Sequence, residues 1–149
     1  MICDPDPELE GLLTRMPYAR LLGLRARSDG EGLIVMLPYS PHLIGNPLVP
    51  AIHGGVLGAL LEICALAQLF IGQGLVRQPR PIDVSIDYLR AGRPIDTFAR
   101  AQIKRMGRRV ANVQAEAWQD SEDRPIASLH GHFHVAPKAA SGRPVRPIA

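Results

Sequence analysis

The chain has 149 residues, which is the length of one ordinary domain and enough to bury a single hydrophobic core. Its hydrophobic share of 46% and charged share of 21% are typical of a globular protein and exclude a wholly disordered chain. The net charge of +3 is too small to predict wrapping of nucleic acid, so we expect no nucleic-acid partner.

The two cysteines, Cys3 and Cys64, are too few for a disulfide scaffold and indicate a reducing, cytoplasmic location. No signal peptide is predicted, because the first ten residues contain no basic segment followed by an apolar run. The most hydrophobic stretch, residues 49–76, carries Glu62 near its centre, where a charge is costly in a membrane. This stretch therefore predicts a buried helix, and we expect no membrane partner.

The first predicted element is a short N-terminal helix. Asp6 can cap it, Pro7 suits its first position, and two acidic residues follow in the first turn. The helix is expected to end near Met16 and Pro17, since proline disrupts a helix interior.

A β-hairpin is predicted next, from residues 23–28 and 33–37 on either side of the turn sequence DGEG at residues 29–32. Residues 38–52 contain four prolines and predict a long loop. Loops of this length inside a domain are often functional.

Four segments after the central helix alternate apolar and polar residues, as half-buried strands do. They cover residues 82–88, 99–103, 111–117 and 127–135. The short breaks between them predict an antiparallel meander. The whole order predicts an α+β fold, in which a long central helix packs on a six-stranded antiparallel sheet. One helix cannot cover both faces and the edges of such a sheet, so we expect at least a homodimer.

The segment that carries the most information about function runs from Asn46 to Glu62. Gly54 and Gly55 stand at the start of the central helix, where free N–H groups and the helix dipole favour a developing negative charge. Glu62 shares one stripe of this helix with the small residues Gly55, Gly58 and Ala59. This pattern predicts a groove that leads from the helix N-terminus to the carboxylate.

Several of these residues have alternative interpretations. Glu62 could neutralise an arginine across a subunit interface, since structural ion pairs also hold buried acids. His53 lies about 180° around the helix from Glu62. It is therefore interpreted as a structural hydrogen-bonding residue in preference to a catalytic base. Cys64 lies on another face and is interpreted as a small core residue.

The motif His53-Gly54-Gly55, followed by an acid at Glu62, resembles the hotdog-fold acyl-CoA thioesterases of the phenylacetate-pathway (PaaI-type) group. The later strand IDVSIDYLR, residues 82–90, resembles the strand that follows the central helix in that group. The resemblance covers about residues 17–136. It implies a hotdog fold, an acyl-CoA substrate, no cofactor and a homotetramer as the preferred state.

The resemblance also implies roles for single residues. The Gly54 N–H polarises the thioester carbonyl, Glu62 is the general base or nucleophile, and Asn46 positions the carbonyl or a water molecule. His53 completes the candidate catalytic set, and Gly55 is a candidate substrate-binding residue. Residues 1–136 are expected to form this single domain, and residues 137–149 a mobile tail.

Positive charge is concentrated between Arg77 and Arg109, where nine basic residues accompany three acidic ones. The phosphates of a coenzyme A nucleotide would suit such a patch, although a solvated strand face explains any single arginine equally well. The candidate substrate-binding residues of this patch are Arg90, Lys104, Arg105, Arg108 and Arg109.

Three histidines, His130, His132 and His134, share one face of the last predicted strand. No cysteine or acid is interleaved with them, so we expect a polar outer face and no metal site.

The leading hypothesis is thus hydrolysis of an acyl-CoA thioester by a carboxylate, since no Gly-x-Ser-x-Gly motif supplies a serine nucleophile. Two alternatives remain open. One is a non-catalytic acyl-CoA-binding hotdog module. The other is a hotdog hydratase or dehydratase, which would need a catalytic histidine beside the acid, whereas His53 is expected on another face.

Overall fold

The computed structural model describes residues 5–71 and 77–136 of the chain. The helices are Pro7–Thr14 (α1), Pro17–Leu22 (α2) and Gly54–Phe70 (α3). The strands, from β1 to β8 in chain order, are Arg25–Ser28, Leu33–Leu37, Ile44–Asn46, Ala51–Ile52, Arg80–Tyr88, Thr97–Met106, Val110–Trp118 and Ala127–His134. None of the helices in this described part is long and apolar enough to cross a membrane.

The main sheet has six antiparallel strands in the order β1-β2-β6-β7-β8-β5, and α3 packs against one of its faces. On the strands beneath the helix, every second side chain is buried against it. The buried set on β7 and β8 includes Ala111, Val113, Ala115, Leu129 and Phe133. This arrangement confirms the predicted α+β architecture of a long helix on a six-stranded antiparallel sheet, with a short helix before it.

The N-terminal helix begins as predicted. The Asp6 side chain accepts hydrogen bonds from the N–H groups of Glu8 and Leu9 at 3.0 and 3.3 Å, and Pro7 occupies the first turn. A second helix, α2, was not predicted. Pro17, expected to end one helix, begins another, because proline is well tolerated in a first helical turn.

The long loop predicted at residues 38–52 is only partly a loop. It contains one turn of 3₁₀ helix, Pro41–Leu43, and the two short strands β3 and β4, which pair with each other. At its end, the His53 N–H donates to the Leu43 carbonyl at 2.9 Å. The folded loop therefore fixes the point at which α3 begins.

The predicted meander is correct for β6, β7 and β8 but wrong for β5. Instead of lying beside β6, β5 pairs with β8 at the edge of the sheet, with Tyr88 opposite Ala127. Residues 89–96 make the connection, and eight residues can reach about 27 Å, whereas three strand spacings need only about 14 Å. Alternation of apolar and polar residues determines which face is buried, not which strand is the neighbour.

The apolar face expected to be buried on β5 is largely open in this single chain. Ile82 is 56% exposed and Tyr88 is 55% exposed, because α3 lies over the middle of the sheet. An unpaired edge strand of nine residues with exposed apolar side chains is a surface on which another strand can pair.

The remaining sequence-based expectations concern cysteines, histidines and the tail. Cys64 is fully buried in the core, as predicted, and burial raises the pKa of its thiol to about 12. The three histidines of β8 are exposed on the face away from α3, which confirms the polar outer face. Cys3 and the tail at residues 137–149 lie outside the described residues, so the mobile tail stays a prediction.

Candidate active site

The N-terminus of α3 is held by the side chain of the residue before it. Nδ1 of His53 accepts a hydrogen bond from the Gly55 N–H at 2.9 Å, and the His53 carbonyl accepts from Val56 and Leu57. The Gly54 N–H has no acceptor among the described residues. His53 therefore caps the helix and uses one free N–H group, while the adjacent N–H group of Gly54 stays available to a ligand.

The start of α3 lies very close to β5 at Gly54 and Gly58, which have no side chains. A Cβ atom on Gly54 would lie 3.2 Å from the ring of Tyr88, and one on Gly58 would lie 2.9 Å from Cδ1 of Ile86. A larger residue at either position would require the Tyr88 or Ile86 side chain to move. The two glycines thus fix the distance between α3 and the edge strand.

A cavity of about 500 Å³ lies along this face of α3, within the size range of small-molecule sites. Glu62 is half-buried and is the only charged residue among the described residues that line it. The predicted small residues Gly55, Gly58 and Ala59 form its floor beside the carboxylate. The other lining residues are Met16, Pro17, Tyr18, Ile63, Leu66, Gln78, Ile86 and Tyr88.

Asn46 does not line this cavity. It is exposed on β3, and its Oδ1 accepts a hydrogen bond from the Leu48 N–H at 3.0 Å, which closes a local turn. Within one chain, Asn46 and Glu62 therefore do not line the same cavity.

The basic residues separate into paired and unpaired groups. Arg100 bonds Asp29 and Glu122, and this guanidinium holds the pKa of the Asp29 carboxyl at about 2, below its usual range. Arg93 is paired with Asp120. Such partners neutralise these two arginines, so they are poor candidates for binding phosphate.

Arg105, Arg108 and Arg109 line a second, larger cavity of about 970 Å³ together with Gly107, Val110, Asn112 and His132. Its histidine and asparagine alternate along their strands with residues buried under α3, so this cavity lies on the outer face of the sheet. It shares no lining residue with the Glu62 cavity. The predicted catalytic residue Glu62 and the predicted phosphate-binding arginines of this cavity are therefore on opposite faces of the sheet.

The other two predicted basic residues make local contacts. Nζ of Lys104 donates to Gln102 at 2.8 Å, and Nη1 of Arg90 donates to the Pro125 carbonyl at 2.6 Å. Neither residue lines either of these cavities.

Sequence reasoning missed Met16, Tyr18 and Gln78 as cavity residues. They are remote from Glu62 in the chain, and only the packing of α2 and the segment before β5 against α3 brings them to it. Tyr88 carried a usable signal, because its alternation with Ile86 places both side chains on the helix side of β5.

The chain belongs to the acyl-CoA thioesterase N-terminal domain family, whose model matches residues 46–134. It is 28% identical over 141 residues to the medium/long-chain acyl-CoA thioesterase YigI of Escherichia coli K12, with 85% of this chain and 90% of YigI covered.

Solved structures share this fold. A phenylacetic acid degradation-related protein from Ralstonia eutropha JMP134 has a TM-score of 0.72 and 25% identity, with 85% of this chain and 98% of that protein covered. A Bacillus halodurans protein solved with CoA has a TM-score of 0.73 and 22% identity, over 88% of this chain and 89% of that one. The hotdog fold and the predicted resemblance are thereby confirmed, and the chain is an acyl-CoA thioesterase.

The capping role of His53 can be separated from a chemical one by two substitutions. We expect His53→Ala to lower the free energy of unfolding by about 1 kcal/mol, and His53→Asn to restore most of it, because asparagine also caps helices. Thermal denaturation measures both effects. Thioesterase activity should also be lower in His53→Ala than in His53→Asn. If both variants fold and are equally inactive, His53 has a role beyond capping.

Proposed function

We propose that the Glu62 cavity hydrolyses the thioester of a medium- or long-chain acyl-CoA to the free acid and CoA. The observation that carries this proposal is a half-buried carboxylate, the one charged group among the described residues that line its cavity, beside glycines at a helix N-terminus. Membership of the acyl-CoA thioesterase family supports a thioester as the substrate. The name of YigI, a medium/long-chain acyl-CoA thioesterase, supports a medium or long acyl chain. The apolar walls at Met16, Ile63 and Leu66 suit an alkyl chain.

The chemistry follows from this arrangement. Glu62 takes a proton from water as the water oxygen bonds to the thioester carbon, and the carbonyl oxygen becomes an oxyanion. The Gly54 N–H and the helix dipole stabilise that oxyanion. The carbonyl bond re-forms as the C–S bond breaks, and the CoA sulfur leaves with the proton that Glu62 took from water. In the covalent variant, a Glu62 oxygen attacks first, and water hydrolyses the resulting anhydride; both routes need the ionised carboxylate.

A hydratase gains no support from the position of the histidine. His53 is exposed, its Nδ1 already accepts from Gly55, and it does not line the Glu62 cavity. In this cavity the acid has no histidine beside it among the described residues.

Glu62→Gln tests the proposed function. The amide keeps the shape of the side chain but loses its basicity and nucleophilicity, so we expect kcat to fall about 100-fold or more while KM changes little. Thiol release from a panel of acyl-CoA substrates measures this, with Glu31→Gln, an exposed turn residue, as the matched control. Glu62→Asp should retain more activity than Glu62→Gln. A folded Glu62→Gln variant with the wild-type rate would refute the mechanism.

The basic cavity is proposed to bind the phosphates of the CoA nucleotide. Arg105, Arg108 and Arg109 supply three positive charges there, and none of them has an ion-pair partner among the described residues. Because this cavity and the Glu62 cavity lie on opposite faces of the sheet, we propose that one acyl-CoA is shared between two copies of the chain.

Charge reversal tests the phosphate site. We expect Arg108→Glu combined with Arg109→Glu to raise KM for acyl-CoA more than it lowers kcat, since phosphate contacts are similar in the ground and transition states. Steady-state kinetics measure the changes in KM and kcat separately. The charge-matched control is Arg20→Glu with Arg124→Glu, whose residues line neither cavity. An unchanged KM in the first pair would remove this cluster from the substrate site.

The edge strand β5 supports a homodimer at least, and the resemblance supports a homotetramer. We propose that β5 pairs with β5 of a second copy, which would cover Ile82, Val84 and Tyr88. The same strand supplies Ile86 and Tyr88 to the Glu62 cavity, so this pairing would place the partner next to the site.

Two lysines on the edge strand test the assembly. We expect Ile82→Lys combined with Val84→Lys to give monomers, because like charges would face each other where the strands pair. Light scattering reads the mass of the wild type, this variant and the control Leu21→Lys, an exposed apolar residue on α2. A monomeric wild-type chain at micromolar concentration would rule the assembly out.

A further inference from the structure

Tyr88 links the edge strand, the helix N-terminus and the cavity. Its hydroxyl donates a hydrogen bond to the Gly54 carbonyl at 2.8 Å. Its ring lies against the same glycine, where a Cβ atom would approach it to 3.2 Å. Tyr88 also lines the cavity that contains Glu62. One side chain of β5 therefore touches both the backbone that begins α3 and the space in which a substrate would lie.

The start of α3 needs such a restraint. Two consecutive glycines have the largest backbone freedom of any residue pair, and the first N–H groups of a helix lack partners within it. The His53 side chain restrains the Gly55 N–H, on one side of the Gly54–Gly55 peptide group. The Tyr88 hydroxyl restrains the carbonyl oxygen on the other side of the same peptide group. Together the two side chains fix the plane of this peptide.

We propose that Tyr88 is a positioning residue for thioester hydrolysis. By holding the Gly54 carbonyl, its hydroxyl restrains Gly54 from the C-terminal side, so that the Gly54 N–H of the adjoining His53–Gly54 peptide group meets the developing oxyanion. This inference rests on the proposed function. A donor that is fixed before the reaction stabilises the transition state without reorganising at that moment. Loss of the Tyr88 hydroxyl should therefore lower kcat more than it changes KM.

The size of the effect follows from the geometry. Tyr88 acts through the backbone and does not itself donate to the substrate, so its removal should cost less than removal of an oxyanion donor, which is about 100-fold or more. We expect a fall in kcat of about tenfold.

Tyr88→Phe is the test, because phenylalanine keeps the ring that packs on Gly54 and removes only the hydroxyl. We expect kcat for acyl-CoA to fall about tenfold and KM to stay within about twofold. The control is Tyr39→Phe, an exposed tyrosine whose hydroxyl has no hydrogen bond to the described residues. A Tyr88→Phe variant with wild-type kcat, or with the whole loss in KM, would overturn the inference.

A second readout needs no substrate. Amide hydrogen exchange at Gly55, whose N–H group donates to His53, should be faster in Tyr88→Phe and unchanged in Tyr39→Phe when it is followed by NMR. Exchange in the middle of α3, at Leu60 and Leu61, should not change, which separates local loosening from general destabilisation. Unchanged exchange at Gly55, or an equal rise along the whole helix, would overturn the positioning role.

The two proposals can fail separately. If the wild type releases no thiol from any acyl-CoA, the proposed function fails, and hydrogen exchange still decides whether Tyr88 orders the helix start. If Glu62→Gln abolishes hydrolysis while Tyr88→Phe keeps the wild-type kcat, only the inference about Tyr88 fails.

Discussion

The close contact between the glycine-rich start of α3 and the edge strand β5 is the constraint on which the site depends. A Cβ atom on Gly54 would come within 3.2 Å of the Tyr88 ring, and one on Gly58 within 2.9 Å of Cδ1 of Ile86. Close packing of this kind leaves little room for even one added methyl group. Because the helix is held by its backbone at this point, the cavity beside Glu62 has a defined wall, and the helix N-terminus has a defined position.

The position of Glu62 on the side of α3 that faces the cavity explains how this apolar helix can carry a carboxylate. Ten of the seventeen residues of α3 are buried, and an unpaired charge among them would be costly. Glu62 lies on the stripe of small residues, where the helix faces the cavity and not the core of the sheet. There the carboxylate keeps partial access to solvent, so the fold can carry an ionisable group without burying it completely.

Much of the fold could be predicted from local patterns, because those patterns act over short distances. Asp6 and Pro7 begin α1, the turn sequence at residues 29–32 separates the hairpin strands, and alternation marks the strands after the helix. The neighbour of β5 could not be predicted, since alternation assigns faces and not partners. For the site, the helical stripe predicted the groove at Glu62, but it carried no information about Tyr18 or Gln78, which only tertiary packing brings there.

Alternation along the strands also separates the charges of the molecule from its core. On β7 and β8, Val113 and Phe133 face α3, so their neighbours Asn112 and His132 must face outward, and the basic cavity forms on that outer face. The carboxylate stands on the helix and can lie only on the inner side. In one chain the basic cavity and the carboxylate cavity therefore lie on opposite faces of the sheet. Pairing at the open edge of β5 would place a second copy beside the Glu62 cavity, but it would leave both outer faces on the other side of the joined sheet. One substrate that reaches both cavities therefore requires a further contact between copies that involves the outer face.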